Sequence, residues 1–542
     1  MNRTHGLGRP QGKISLILMT LYIWLIAVFV AMIANYTVSA AFIAAIGIVS
    51  LLLSAFIISR LSGPLSNIEF KETCSRGRCL LFSAVIGALT LAFLLLYFLG
   101  DFPGGGGQDE FWQYAQAVGD EPYNDWHPVL HTMLFFSLPY KLGLGYRASM
   151  LLQLVYFSAA FSYLVYTLRA NSCPRAVILP ICAYVWMNPY ISTYLLIMLK
   201  GCAMMIFAMV LIGFYIQILC SKGQWLRNKL HLILFSAVTV MCSYMRHNAV
   251  LFTIPLLIVV IFYLLRDKKL RMTVLLVTAL MFGLVKGVYW CAGVTYPGGR
   301  MVETIGLPCA VWCNVMQKAP ETLPEDTREL LLSYAPQELY SSRYVSGNFN
   351  SIKRAVGIDL DKMNELSYEE AFKITWQCFK YAPSESVEAL LKQTDIVWDP
   401  NTAPQLIEAL LCGNPYGIEN TPDYRLFSFV AELWSFFSSG LGTYIFGSIG
   451  LEMLAMLIVG LCLLSRGRSA IVLLIPFFCH NFGTMLLLSG EDHRFFMYNI
   501  PLWLPVIIVM LMDRNTIGIK RGEACIQSDQ ILNQEDGIGE TT

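Results

Sequence analysis

The sequence predicts an all-α polytopic membrane protein with about 12–13 transmembrane helices and a mostly α-helical extracytoplasmic domain. Three observations carry this expectation. Of 542 residues, 56% are hydrophobic and 14% charged, with a mean hydropathy of +0.56; a soluble chain carries about a quarter charged residues. Apolar runs of roughly 20 residues, the length that crosses a bilayer as a helix, recur along the chain. One long polar segment, residues 297–439, interrupts them.

The N-terminal part, residues 1–99, predicts spans over 14–33, 38–58 and 80–99. The first apolar run is not followed by a small-residue cleavage site and is expected to remain as a span. Basic residues flank these runs: Arg3, Arg9 and Lys13 before the first, then Arg60, Lys71, Arg76 and Arg78 between the second and third. The positive-inside rule places those flanks in the cytoplasm. The loop that follows, residues 100–128, therefore faces outward. It holds Asp101, Asp109, Glu110, Asp120, Glu121 and Asp125, and no Lys or Arg occurs before Lys141.

The central membrane part, residues 129–292, is less regular. The run 129–144 is apolar but short, and the run 176–199 is broken at Asn188-Pro189. Full or nearly full runs cover 149–168, 201–219, 230–244, 249–265 and 272–290. Lys222, Arg227 and Lys229, and then Arg266, Lys268, Lys269 and Arg271, mark cytoplasmic turns. The acidic segment after residue 293 shares the outer face with the first loop only if an even number of crossings lies between them. Either 129–144 is re-entrant or the Asn188-Pro189 break divides its run into two short spans. A broken, short-helix region is expected, since irregular backbone at membrane depth is tolerated where it lines a cavity.

The segment 293–440 reads as the helical domain. Ser367-x-x-Glu370 before AFKITWQCF is a capping-box pattern, and SVEALLKQ and QLIEALL have helical spacing. Spans resume over 441–464, 470–488 and 496–512, with cytoplasmic basic residues Arg466, Arg468, Arg514, Lys520 and Arg521. The tail 513–542 is polar and is expected to be disordered.

Composition excludes some functions. A net charge of +1 does not supply the basic face that nucleic-acid binding needs. The fifteen cysteines lie mostly in apolar runs, where Cys behaves as a small buried hydrophobe. Cys309, Cys313, Cys378 and Cys412 fall in the polar segment, so disulfides among them are open. No metal-ligand spacing is present.

The chemistry concentrates in residues 104–132, GGGGQDEFWQYAQAVGDEPYNDWHPVLHT. The Asp109-Glu110 pair can supply a general base, which removes a proton from an attacking hydroxyl; the alternative is a solvated acidic loop. The glycines allow a tight turn beside a ligand. Gln113 sits at helical spacing from the acids, and Trp112 offers a flat face for a sugar ring. In His127-Pro128 the proline suits a helix start, which puts His127 at the helix entrance and His131 one turn on; incidental histidines at an interfacial helix are the alternative. Lys200, Arg246, His247 and Arg494 lie at ends of apolar runs on the same side. Arg binds phosphate bidentately, while snorkelling anchors are the alternative. Lys286 and Glu452 fall near membrane depth and need a partner or a cavity.

Several short motifs together resemble one family. Asp109…Gln113, then Tyr123, then His127-Pro128…Thr132 in the first outer loop resemble the GT-C superfamily of membrane glycosyltransferases. The match is closest to an uncharacterised bacterial family of multi-span proteins. Asn188-Pro189…Lys200, Arg246-His247-Asn248, Lys380…Pro383 and Arg494-Phe495 extend the likeness over most of the chain. Gly201 departs from it, standing where the family's Asp follows Lys200.

The resemblance implies an inverting transfer of a sugar from a polyprenyl-phosphate carrier to a cell-envelope glycan, polymer or protein acceptor at the outer face of the cell membrane. Asp109 would be the catalytic residue with Glu110 beside it. Arg246, His247, Arg494 and Lys200 would hold the donor phosphate, and Gln113, Trp112, Tyr123, His127 and His131 the substrates. No metal is obligatory, because the carrier phosphate leaves as a stabilised anion, although acidic loops can recruit Mg or Mn. The competing readings are a transporter or flippase of lipid-linked saccharides and an envelope glycan polymerase or ligase. The missing internal repeat weighs against transport.

Overall fold

The computed structural model of the chain describes residues 10–34, 39–297, 301–402 and 410–516. Arg3, Arg9, Lys520, Arg521, most of QLIEALL and most of the tail lie outside these residues. The described chain is all-helical, with five isolated β-bridges and no strand.

Among the described residues, seven helices can by length and composition cross a membrane, or up to nine if each of two bent pairs is one span. This is fewer than the 12–13 expected. The runs at Lys229–Met245, Ala470–Met485 and Asn499–Met512 form shorter apolar helices, and the run 129–144 splits into short pieces. The surface of the bundle is apolar: on the helix Lys268–Cys291, Leu276, Leu280 and Leu284 are each more than 60% exposed at spacings of four. Such a stripe is stable against lipid and not against water.

The helices used below are α1 (Pro10–Ile33), α2 (Ala40–Asn67), α3 (Arg76–Gly100), α4 (Gln108–Val118), α5 (Gly145–Ala170), α6 (Arg175–Met187), α7 (Pro189–Leu195), α8 (Lys200–Cys220), α9 (Lys229–Met245), α10 (His247–Leu264) and α11 (Lys268–Cys291). Close packing depends on small residues. Along α2, Ser50, Ser54 and Ser62 are buried at multiples of four, which lets neighbouring backbones approach.

The parity question has a geometric answer. The pieces over 129–141 start at Pro128 and return to Tyr146, whose hydroxyl donates to the Gly105 carbonyl at 2.9 Å. That stretch therefore leaves and re-enters at the same end of the bundle. The run 176–199 bends by 57° at Asn188 between α6 and α7 and ends at Ile197, bridged to Gly105. Asn188 makes the bend tolerable: its side chain accepts from the Tyr190 and Ile191 amides and donates to the Phe446 carbonyl. α5 with α6–α7, α8 with α9, and α10 with α11 then form out-and-back pairs. They return the chain to Thr295, whose amide donates to the Tyr123 carbonyl beside the first loop.

The polar segment forms a helical domain with its own core. Trp312, Val315, Phe349, Ile352, Ile374 and Ala389 are buried together, on α12 (Gly306–Lys318), α13 (Tyr368–Tyr381), α14 (Pro383–Thr394) and the turns between. The capping box forms as expected, with the Ser367 side chain accepting from the Glu370 amide and Glu370 accepting from the Ser367 amide. Cys309, Cys313 and Cys378 are buried free thiols and Cys412 an exposed one.

The domain ends before residue 440. The chain from Leu410 runs back onto the glycine loop, where the Gly106 amide donates to Leu410 and the Cys412 amide to Gly106. The amphipathic helix α15 (Tyr424–Phe437) follows and packs on α3, with Trp434 stacked on Tyr97. The remaining helices are α16 (Leu441–Gly447), α17 (Ile449–Leu464), α18 (Ala470–Met485) and α19 (Asn499–Met512).

Candidate functional site

The first loop is rigid for a reason visible in its glycines. Gly104 has φ +88°, and a Cβ there would lie 2.6 Å from the Leu196 carbonyl oxygen, so only glycine permits this approach. The loop is thus pressed onto the end of α7, and α4 starts at a fixed point. Glu110 closes that start, its Oε2 accepting from the Gly107 amide at 2.8 Å. Burial pushes the Glu110 carboxyl up. It faces inward, away from any opening.

Asp109, one residue earlier, turns the other way. It is half exposed and lines a cavity of about 770 Å³ between the bundle and the helical domain. Lys200, first residue of α8, places Nζ 3.4 Å from Asp109 Oδ2 and 2.8 Å from His127 Nδ1. His127 Nε2 lies 3.8 Å from Asp109 Oδ1. Burial, followed by the Lys200 charge, pushes the His127 imidazole down to about 3, so it is neutral at pH 7. Nδ1 then accepts from the ammonium, which leaves the proton on Nε2, facing Asp109. Trp112 stands edge-on to the His127 ring at 5.8 Å. For Asp109, burial raises the carboxyl, but Lys200 and then His127 outweigh it and hold it below the ordinary carboxylate value. It is ionised at neutral pH.

Beyond Lys200 lie two arginines. Arg494 is clamped by Asp492, with Nε 2.9 Å from Oδ1 and Nη2 2.5 Å from Oδ2. Arg246 differs. It is 9% exposed, lies over the Phe495 ring at 3.5 Å, and donates to the Arg494 carbonyl at 3.3 Å. Among the described residues no carboxylate comes within ion-pair distance of it. A guanidinium mostly removed from water and left without a carboxylate is costly unless a ligand supplies the anion.

Gly201 is what allows this arrangement. A Cβ at that position would lie 2.5 Å from the Arg494 carbonyl oxygen and 3.1 Å from Arg246 Nη1. Helix α8 therefore comes close to the Arg494 backbone at this position, with no room for an aspartate.

The sequence-predicted residues divide into two groups. Asp109, His127, Lys200, Arg246, His247 and Arg494 line this cavity together. Glu110, Gln113, Trp112, Tyr123 and His131 do not. Gln113 Oε1 bonds His131 Nδ1 at 2.8 Å, and both side chains are fully buried behind α4. The Tyr123 hydroxyl bonds Ser137 Oγ at 2.7 Å. These residues brace the loop and the short pieces after it.

Asn350, Lys353 and Arg354 line the cavity without having been anticipated, while Asp125, Asn248 and Asp492, noted in the sequence without a role, line it as well. Lys353-Arg354 had a readable signal, a basic pair in an acid-rich segment. Lys286 lies outside the cavity, among the rings of Tyr244, Tyr289 and Tyr296. Glu452 accepts from the Tyr184 hydroxyl at 3.2 Å. Among the described residues no three His, Cys, Asp or Glu side chains converge as metal ligands; Asp109 and Asp492 engage Lys200 and Arg494 instead. No family model, no curated protein and no solved structure matches this chain.

Proposed function

We propose that this chain is a membrane glycosyltransferase that moves a sugar from a polyprenyl-phosphate carrier to an acceptor hydroxyl in the cell envelope. The observation that carries the reading is Arg246, a buried guanidinium without a carboxylate partner, in the same membrane-end cavity as the ionised, half-exposed Asp109. One group suits an anionic phosphate and the other a proton acceptor. The basic turns at Lys222, Arg227, Lys268 and Lys269 cap the opposite end of the bundle, and the positive-inside rule assigns that end to the cytoplasm. The cavity and the helical domain are then extracytoplasmic.

In this mechanism the carrier phosphate sits against Arg246, with Arg494 and Lys200 beside it. The acceptor oxygen attacks the anomeric carbon as the bond from that carbon to the phosphate oxygen breaks. The electron pair leaves with the phosphate, whose growing charge the cations stabilise more than they stabilise the bound donor. The hydroxyl becomes acidic as its oxygen bonds to carbon, and Asp109 takes the proton at that stage. A carboxylate of low basicity is adequate for such a late transfer. Attack opposite the leaving group inverts the anomeric centre.

The test uses the purified protein with radiolabelled polyprenyl-phosphate sugars and envelope acceptors. Asp109→Asn should abolish transfer while donor binding persists; transfer retained by that variant would sink the assignment. A flippase reading would look to Glu452, the buried acid of α17. That residue is in the first turn of its helix, one turn from the cap Ser448, and it is engaged by the Tyr184 hydroxyl at 3.2 Å.

A further inference from the structure

A second open cavity, of about 590 Å³, lies on the helical domain and is lined by residues 353–355 and 357–361. Lys353 and Arg354 belong to both cavities. The two cavities therefore adjoin at this basic pair, the first reaching back to Asp109.

Charge across the two cavities is uneven. In the first cavity, Asp109 is compensated by Lys200, Asp492 by Arg494, and Glu303 by Lys353 at 2.5 Å. Among the described residues this leaves two cavity arginines with no carboxylate at ion-pair distance, Arg246 on the bundle side and Arg354 on the domain side, and one acid, Asp125, without an ion-paired cation. The donor phosphate accounts for Arg246 only.

Arg354 is held for binding. It caps the short helix Asn350–Lys353, whose Ile352 is fully buried in the domain core. The Asn350 amide donates to the Ser489 carbonyl at 3.0 Å, tying this turn to the loop before Asp492. An exposed cation on an anchored turn loses little backbone freedom on binding. Farther along, the second cavity carries Asp359, whose Oδ1 accepts from the Lys362 amide, and Asp361. These acids disfavour an anion at the far end. The preferred place for negative charge is the ridge at Arg354.

We infer that the acceptor is an extended polyhydroxylated chain bearing an anionic group, phosphate or carboxylate, next to the unit that receives the sugar. The chain lies in the second cavity, its anion meets Arg354, and its reacting hydroxyl reaches Asp109. This rests on the transferase reading and specifies the acceptor class for it.

The test is binding to the full-length protein in nanodiscs, measured by calorimetry. The probes are a glycerol-phosphate trimer, a hexagalacturonate and maltohexaose, with dodecyl phosphate reporting separately on the Arg246 side. One or both charged chains should bind at least about tenfold tighter than maltohexaose, and which of them does so identifies phosphate or carboxylate. Arg354→Glu should weaken that chain by about tenfold or more and leave dodecyl phosphate unchanged; Arg354→Gln should fall between. Equal binding of charged and neutral chains, or unchanged binding in Arg354→Glu, overturns the inference. Failure of dodecyl phosphate to bind the unmodified protein overturns the donor assignment instead. Arg354 is exposed, and an unaltered melting temperature in both variants verifies that folding is intact.

Discussion

The Lys200 ammonium lies 3.4 Å from the Asp109 carboxylate across 91 positions of sequence. The same ammonium reaches His127 Nδ1 at 2.8 Å. Lys200 therefore favours the ionised form of the acid and lines the same cavity as Arg246. The reactivity of Asp109 depends on α8 arriving at this point.

Replacing Asp109 by Asn removes the proton acceptor and keeps the shape. Transfer should fall by about 10²–10⁴-fold, the usual worth of general-base catalysis. Dodecyl phosphate binding should persist, because Arg246 is untouched. Single-turnover sugar transfer and calorimetry on the same preparation separate the two effects. A loss of both together would mean that Asp109 has a structural role.

The low position of the Asp109 carboxyl has a pH consequence. Its ionised form is favoured by Lys200, so activity should be present at neutral pH and lost only as pH falls through a value below the ordinary carboxylate range. Lys200→Gln takes away that cation and leaves the burial, which acts in the opposite direction. The acid limb of kcat/KM should then move to higher pH. An acid limb that stays in place, or moves lower, argues against Asp109 as the titrating base.

Gly201→Ala puts a methyl group 2.5 Å from the Arg494 carbonyl oxygen. Helix α8 must shift, and overpacking of this kind costs about 1–3 kcal/mol. The melting temperature should drop and the donor KM should rise, since Arg246 and Arg494 move with the strand of chain they flank. Gly201→Asp should be worse on both measures. Unchanged stability in Gly201→Ala would show that the close approach is not tight in the protein.

Arg246→Met keeps the stem packing on Phe495 and removes the charge. Dodecyl phosphate binding should weaken by about 1.5–3 kcal/mol, the range for a hydrogen bond to a charged group. The donor-free protein should melt at the same or a higher temperature, because an uncompensated buried cation has been deleted. Stability and binding would thus move in opposite directions. A variant that loses stability without losing phosphate binding would make Arg246 a purely structural residue.

Much of the fold was legible in residue order. The apolar runs mark the membrane helices, because burying about 20 residues of main chain in lipid demands an apolar helix. The capping box at Ser367 formed because both of its partners lie within one turn. Asn188-Pro189 marked a break, and the break is there. The division of Asp109 from Glu110 was not legible. Adjacent residues on a helix point about 100° apart, and only the packing of α4 decides which one faces the opening. Gln113 and His131 were expected at the substrate, but they satisfy each other behind the helix.

The amino-acid sequence by itself determined that the chain is an all-helical protein with several membrane-spanning helices and that its candidate site residues collect in the acidic first loop and at a few cationic helix ends. Those are local properties, set by hydropathy and by the cost of placing charge beside lipid. Tertiary structure alone decided that Lys200 pairs with Asp109, that Arg246 is left without a carboxylate, that Gly201 admits the Arg494 backbone, and that Lys353 and Arg354 of the helical domain complete the cavity. These facts depend on distances between segments far apart in the chain. Such distances follow from how whole helices pack, and no short pattern of residues encodes them.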